Sequence, residues 1–198
     1  PLYGLVIAFQ DYSPGMPFFS LTENIKWVGF KHFANFINGK YFGRLMGNTI
    51  LLSVYNLVFG FWVPIVFALL LNEVRNLRFK KFVQTASYLP YFISAVVVAG
   101  MVLSFIDMDG IVNKMIVLFG GTATPLNTSP SAFPVIYTIT NVWKSFGWNS
   151  ILYLSTMSAI DPALYESARL DGANRLQQMW HVTIPSILPT IAIMLIMA

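Results

Sequence analysis

The chain has 198 residues, 56% of them hydrophobic and 10% charged, with a mean hydropathy of +0.65 and a net charge of +4. Soluble domains carry about 25% charged residues, so this composition excludes a soluble enzyme or binding module and predicts an all-α, polytopic membrane protein. The absence of cysteine removes disulfides and thiolate metal sites, and the Lys and Arg residues flank apolar runs, where they set orientation on a membrane and call for no nucleic-acid partner.

Residues 1–10 (PLYGLVIAFQ) read as part of a first span, ended by the turn-forming run Asp11-Tyr12-Ser13-Pro14-Gly15. The stretch from there to Gly43 is polar and aromatic, and Trp27, Phe30, Phe33 and Phe36, spaced by three, predict a short helix with one apolar face anchored at the membrane interface. A second span is expected over 48–72, with Pro64 tolerated because neighbours in a membrane bundle can satisfy the carbonyl that it frees. Arg75, Arg78, Lys80 and Lys81 crowd the next connection, which the positive-inside rule places in the cytoplasm. Lys26, Lys31, Lys40 and Arg44 lie in the stretch that this orientation puts outside.

The third span is expected over 84–106, closed by Asp107-Met108-Asp109-Gly110. Residues 111–119 are apolar but too short to cross, and with Asn113 and Lys114 among them they predict a re-entrant or surface helix. Residues 120–134, rich in Gly, Thr, Ser and Pro, make an outer loop. A fourth span follows over 135–160, then a cytoplasmic loop over 161–186, then part of a fifth span over 187–198. Both ends fall inside apolar runs shorter than the ~20 residues of a complete span, so the chain is expected to be a single membrane domain truncated at both ends, with lipid as a partner.

The loop at 161–186 is the one long polar interruption in the second half. Asp161-Pro162 is a helix start, since an Asp side chain can accept from exposed amides and Pro suits the first helical position. Gly172 suits a helix end because glycine tolerates the left-handed conformation. A second amphipathic piece follows from Asn174, with Leu176, Met179 and Trp180 on one side, before Pro185 and Pro189 redirect the chain. Two short helices meeting at a glycine form a compact knob able to transmit force, or an interfacial loop resting on headgroups.

The residues Glu166-Ser167-Ala168, Asp171-Gly172-Ala173, Ile184-Pro185 and Leu188-Pro189 resemble the EAA motif of the inner-membrane permease subunits of binding-protein-dependent ABC importers, with Ser167 in place of the usual second alanine. The likeness extends to Trp27-Val28-Gly29-Phe30, Leu89-Pro90 with Ser94, and Gly110-Ile111-Val112-Asn113, which are similar to carbohydrate-type permeases, especially those for oligosaccharides or polysaccharides. The resemblance implies a type I ABC importer permease-like helical bundle in a bacterial cell membrane. It implies that Glu166, Ser167, Ala168, Asp171, Gly172 and Ala173 form a coupling helix seated in a cytoplasmic ATP-binding subunit. It implies further partners in a second permease subunit and an extracytoplasmic sugar-binding protein, and no cofactor. Part of the first span, the end of the fifth and the whole sixth would then lie outside this chain.

Within the fourth span Asn141, Lys144 and Trp148 share a helical face. A charge inside a span is costly and faces protein or water, so these three are the candidate sugar path: an aromatic face for sugar C–H surfaces, with amide and ammonium donors for hydroxyls. Lys144 could equally snorkel or pair with a group on another helix. Trp143 and Asn149 are expected to point elsewhere. No G-x-x-x-x-G-K-S/T phosphate loop is present, so ATP hydrolysis must come from a separate subunit. His32 and His181 are far apart, with no nucleophile or metal cluster to join them. An ion-coupled secondary transporter remains the alternative, although the complete spans contain no Asp or Glu.

Overall fold

The structure, a computed structural model, describes residues 2–13, 15 and 26–197. Pro1 and Ala198, at the outer ends of the expected first and last spans, lie outside the described residues, as do Pro14 and residues 16–25 of the turn and the aromatic stretch. The contacts divide the chain into two units, Pro1–Ile50 and Leu51–Ala198.

In the first unit Leu2–Phe9 is a 3-10 helix and α1 covers Lys31–Ile37. Gln10 and Trp27 form an isolated antiparallel bridge, flanked by bonds from the Asp11 amide to the Lys26 carbonyl and from the Val28 amide to the Phe9 carbonyl, each 2.9 Å. This pairing takes Trp27 off the helix that the spacing of three predicts, so that only Phe33 and Phe36 of the four aromatics lie within α1. Phe33 instead packs with Phe9 and Phe30, at 5.4 and 5.7 Å between ring centroids. The helix α2 (Phe42–Tyr55) leads into the second unit.

The second unit continues through a π-helical turn at Asn56–Gly60 into α3 (Phe61–Asn72), then α4 (Leu77–Tyr88), a 3-10 turn at Leu89–Phe92, and α5 (Ala95–Ile106). The short α6 (Ile111–Leu118) precedes α7 (Phe133–Ser158), α8 (Pro162–Leu170) and α9 (Arg175–Gln178). A second π turn at Met179–Thr183 leads into α10 (Ile184–Met197). Phe42–Asn72 and Arg175–Met197 are helical, long and apolar enough to cross a membrane; Ala95–Leu118 has the length and hydropathy too, but its helix is broken at Asp107–Gly110, between α5 and α6. At 26 residues α7 is about 39 Å long, which also exceeds the ~30 Å hydrocarbon thickness.

Residues 84–106, expected as one span, comprise the end of α4, the 3-10 turn and α5. The chain turns extended at Ile93 and Ser94, and the Ser94 hydroxyl caps α5 by accepting from the Val97 amide. Pro185 and Pro189, expected to redirect the chain, are instead inside the continuous helix Arg175–Met197. The π turn at Met179–Thr183, just before Pro185, shifts the hydrogen-bond register where proline, having no amide hydrogen, leaves a carbonyl of the preceding turn without its usual donor.

α7 is the central element, packed by α3, α4, α10 and both the Asn56–Gly60 and Leu89–Phe92 turns. Phe61, Ile65 and Ala68 of α3, Tyr153 and Met157 of α7 and Ile187 of α10 form one buried cluster. Small residues allow the close approach: Ala68 and Ser150 are fully buried, and a Cβ on Gly147 would overlap the Ser87 carbonyl of α4. Membrane helices associate through such small-residue contacts, because lipid tails are as apolar as Leu and give no hydrophobic drive. For the same reason Leu70, Leu103 and Ile139 remain exposed on the unit's surface.

Beyond α5, Asn113 is 1% exposed and fully engaged. Its amide nitrogen donates to the Asp107 carbonyl at 2.8 Å and the Thr124 carbonyl at 3.0 Å, and its oxygen accepts from the Thr124 amide at 2.9 Å. One side chain thereby pins the loop at 119–132 to the junction of α5 and α6.

Candidate coupling loop and polar cavity

At the start of α8 the Asp161 carboxylate accepts from the Ala163 amide at 2.9 Å, with Pro162 at the first helical position. At its end the Gly172 amide donates to the Arg169 carbonyl and the Ala173 amide to the Ala168 carbonyl, at 3.0 and 2.9 Å. These two bonds are a Schellman termination, which requires the left-handed residue that Gly172 supplies at φ +82°. A Cβ on Gly172 would meet nothing within 4 Å, so backbone conformation, and no close packing, demands glycine here. Asn174 then starts α9 with a capping box: its side chain accepts from the Gln177 amide, and the Gln177 side chain accepts from the Asn174 amide.

No residue of α8 is buried. Glu166 and Ser167 are exposed, Ala168 and Ala173 are half-buried, Asp171 and Gly172 are exposed, and Leu170 is 89% exposed. Two short helices thus project as a knob, fastened from below. The Tyr165 hydroxyl is 3.0 Å from the Thr183 hydroxyl, Gln178 donates to the Ala173 carbonyl at 2.7 Å, and Arg175 pairs with Glu73 after α3 at 3.4 Å. A cleft of about 760 Å3 between these segments is lined by Glu73, Arg75, Tyr165, Arg169, Arg175 and Gln178.

The second feature lies on α7. Asn141 donates to the side chain of Asn56 at 2.8 Å, and the two line a cavity of about 390 Å3 together with Ser145, Asn149, Tyr153 and Met194. Asn141, Ser145 and Asn149 are successive i, i+4 positions, so they stack along one face. Asn149, expected to point elsewhere, therefore joins Asn141, while Lys144 and Trp148 are not among the residues lining this cavity. Trp148 stacks on Tyr91 at 4.7 Å and 5° and meets Phe92 edge-on at 5.4 Å. Lys144 is half-buried and has neither hydrogen bond nor ion pair among the described residues. Trp143 lies on a separate apolar cavity of about 650 Å3 with Phe59 and Phe146.

Sequence reasoning missed Asn56, Ser145 and Asn149 as a set. The i+4 spacing from Asn141 is the signal for the last two, and an amide side chain isolated in an uncharged span is the signal for Asn56.

Membrane-length helices around a polar cavity, with an exposed capped knob between two of them, define an α-helical membrane transport component. The chain belongs to the family described as binding-protein-dependent transport system inner membrane component, whose sequence profile matches residues 60–198. It is 44% identical over its full length to the polygalacturonan/rhamnogalacturonan transport system permease protein YteP of Bacillus subtilis (strain 168), and 38% identical to protein LplB of the same organism. It spans 60% and 61% of the lengths of these relatives. Among crystal structures, it matches a chain of a bacterial ABC transporter involved in the import of the acidic polysaccharide alginate, with a TM-score of 0.88 and 42% identity, over all of this chain and 64% of that one. A second alginate transporter structure, in complex with an alginate pentasaccharide-bound periplasmic protein, matches with a TM-score of 0.82 and 45% identity over 85% of this chain and 59% of that one.

Proposed function

We propose that the chain is part of a permease subunit that imports oligosaccharide or polysaccharide-derived carbohydrate across the bacterial inner membrane, driven through residues 161–186 by a separate ATP-binding subunit. The observation that carries this reading is α8, a capped helix with no buried residue, closed by an obligatory glycine and fastened at its base to two membrane-length helices. Glu166, Ser167, Ala168, Asp171, Gly172 and Ala173 are assigned to the contact with that subunit, in which Glu166 offers a carboxylate to basic or amide groups. A second permease subunit and an extracytoplasmic binding protein complete the assembly. Translocation follows from alternating access, with ATP binding closing the cytoplasmic side and hydrolysis reopening it. No ATPase site is assigned to this chain, and the intramembrane carboxylates that ion coupling would call for do not line the cavity.

The sugar path is assigned to the α7 face carrying Asn141, Lys144 and Trp148, extended to Ser145 and Asn149. Amide and hydroxyl groups suit saccharide hydroxyls, Trp148 supplies aromatic surface, and Lys144 supplies a positive charge with no protein partner among the described residues. The relatives that carry polygalacturonan and alginate handle acidic sugars, and Lys144 is suited to a uronate carboxylate. The deciding experiment reconstitutes the full-length permease with its ATP-binding subunit, second permease and binding protein. Glu166→Lys and Gly172→Val are expected to lower both ATPase retention on the purified complex and uptake of oligogalacturonate or alginate oligosaccharide. Normal retention and uptake in both variants would remove the coupling role.

A further inference from the structure

Glu73 directly follows α3, and Arg175 opens the helix that runs to Met197. Arg175 Nη1 lies 3.4 Å from the Glu73 carboxylate and 3.5 Å from the Glu73 backbone carbonyl. The guanidinium therefore reaches both the backbone and the side chain at the end of α3, through a long contact whose side chains are 51% and 37% exposed and which solvent weakens. The coupling loop is tied independently to α10, through the capping box at Asn174, the Gln178 bond to Ala173 and the hydroxyl contact of Tyr165 with Thr183. It has two fastenings, one leading to each of two helices.

Those helices meet again farther along. Phe61, Ile65 and Ala68 of α3 and Ile187 of α10 share the buried cluster with Tyr153 and Met157 of α7. Beyond it, Gly60, Phe61 and Pro64 form one wall of the polar cavity and Met194 and Met197 another. Cores packed at crystal-like density transmit displacement with little compliance, so each helix carries movement of its base to its own wall.

We propose that Glu73 and Arg175 are positioning residues that make α3 move together with the coupling helix, so that a displacement applied to residues 162–170 reaches both walls of the cavity. Without the pair, the α10 wall follows the loop directly and the α3 wall only through the shared buried cluster. This rests on the reading of 161–186 as the coupling loop.

The test uses the full-length permease in its assembled complex, with single cysteines as probes at Asn56 on the α3 side and Met194 on the α10 side. The readout is the rate of alkylation by a small maleimide with and without ATP and vanadate, which needs no knowledge of the sugar. With the pair intact, trapped nucleotide is expected to change both rates by about fivefold or more. In Arg175→Gln, which removes both contacts, the change at position 56 is expected to fall well below that at 194, while the response at 194 persists and the ATP-binding subunit stays bound. Arg175→Lys, which keeps a cationic donor for both the carboxylate and the carbonyl, is expected to retain the response. The proposal is overturned by an unchanged response at 56 in Arg175→Gln, by joint loss at 56 and 194, by loss of the ATP-binding subunit, by loss of the response in Arg175→Lys, or by no nucleotide response with the pair intact. Failure of the coupling-loop reading is seen separately, as full ATPase retention in Glu166→Lys and Gly172→Val.

Discussion

Asn141 and Lys144 occupy nearby positions on one helix, yet the structure gives them different surroundings. Asn141 has its partner in Asn56 and lines the cavity, whereas Lys144 keeps an ammonium group with no described partner. Lys144→Met is therefore expected to leave the complex assembled and to reduce uptake of a uronate oligosaccharide by about tenfold, the loss of a charge-assisted hydrogen bond. Uptake of a neutral oligosaccharide, if the complex carries one, is expected to change little. Equal uptake of the uronate by the variant and the unaltered protein would take Lys144 out of the path. Asn141→Leu differs in kind, because it removes the exposed bond to Asn56 and is expected to lower stability by about 0.5–1.5 kcal/mol, read as an earlier thermal transition of the purified complex. At Gly172 any side chain must adopt φ +82°, which costs about 1–2 kcal/mol for an L-residue, and the termination of α8 by the Gly172 and Ala173 amides is what such a substitution strains. The sequence made Gly172 and Asp161 legible because a helix cap is a local event, set by residues a few positions apart. It made the cavity only half legible: Asn141 and Asn149 are on one helix, but Asn56 lies 85 positions away and only tertiary packing selects it.

At the level of elements, the two helices with a proline in their interior, α3 and α10, are each preceded by a π turn, Asn56–Gly60 before Pro64 and Met179–Thr183 before Pro185. Hydrophobic periodicity carries no trace of such turns, since they alter hydrogen bonding and register without altering which residues are apolar. That is why Pro185 and Pro189 read as a redirection of the chain although the helix continues through them. The break in residues 84–106 is not legible for a related reason: Ser94 is one of several small polar residues in that stretch, like Ser87 and Ser104, and its capping bond to Val97 goes with the extended backbone at Ile93 and Ser94. The contact of α4 with α7 yields a sharper expectation. A Cβ at Gly147 would overlap the Ser87 carbonyl, and that is backbone, which cannot swing aside as a flexible side chain would. Gly147→Ala is expected to destabilise by about 1–3 kcal/mol and Gly147→Leu by more, because α4 must separate from α7 and the neighbouring stack of Tyr91 on Trp148 opens with it. Thermal melting of the purified complex measures this, and an unaltered transition in Gly147→Leu would mean that the two helices are not apposed there.

For the molecule as a whole, the question is which loops share a side of the membrane. Glu73 and Arg75, after α3, line one cleft with Tyr165, Arg169 and Arg175 of the loop after α7, so these two connections belong at one end of the bundle. The other end of α7 begins at Phe133, about 39 Å away along its 26 residues, and leads back into the loop that Asn113 pins to the end of α5. By the positive-inside rule, four cations between Arg75 and Lys81, with no acid from Val74 to Ile106, lead us to propose that the first end is the cytoplasmic one. The exposed Leu170 and Arg78 should then be reached from the cytoplasmic side, and Asn127, exposed in the short 3-10 turn Leu126–Thr128, from the other. This chain has no cysteine to interfere. In the full-length protein, Arg78→Cys and Leu170→Cys are expected to react with an impermeant maleimide only in inside-out vesicles, and Asn127→Cys only in right-side-out cells or spheroplasts. Reaction of Arg78→Cys and Leu170→Cys from opposite faces would contradict the shared cleft itself, whereas all three reacting with the faces exchanged would leave the bundle intact and reverse only its orientation.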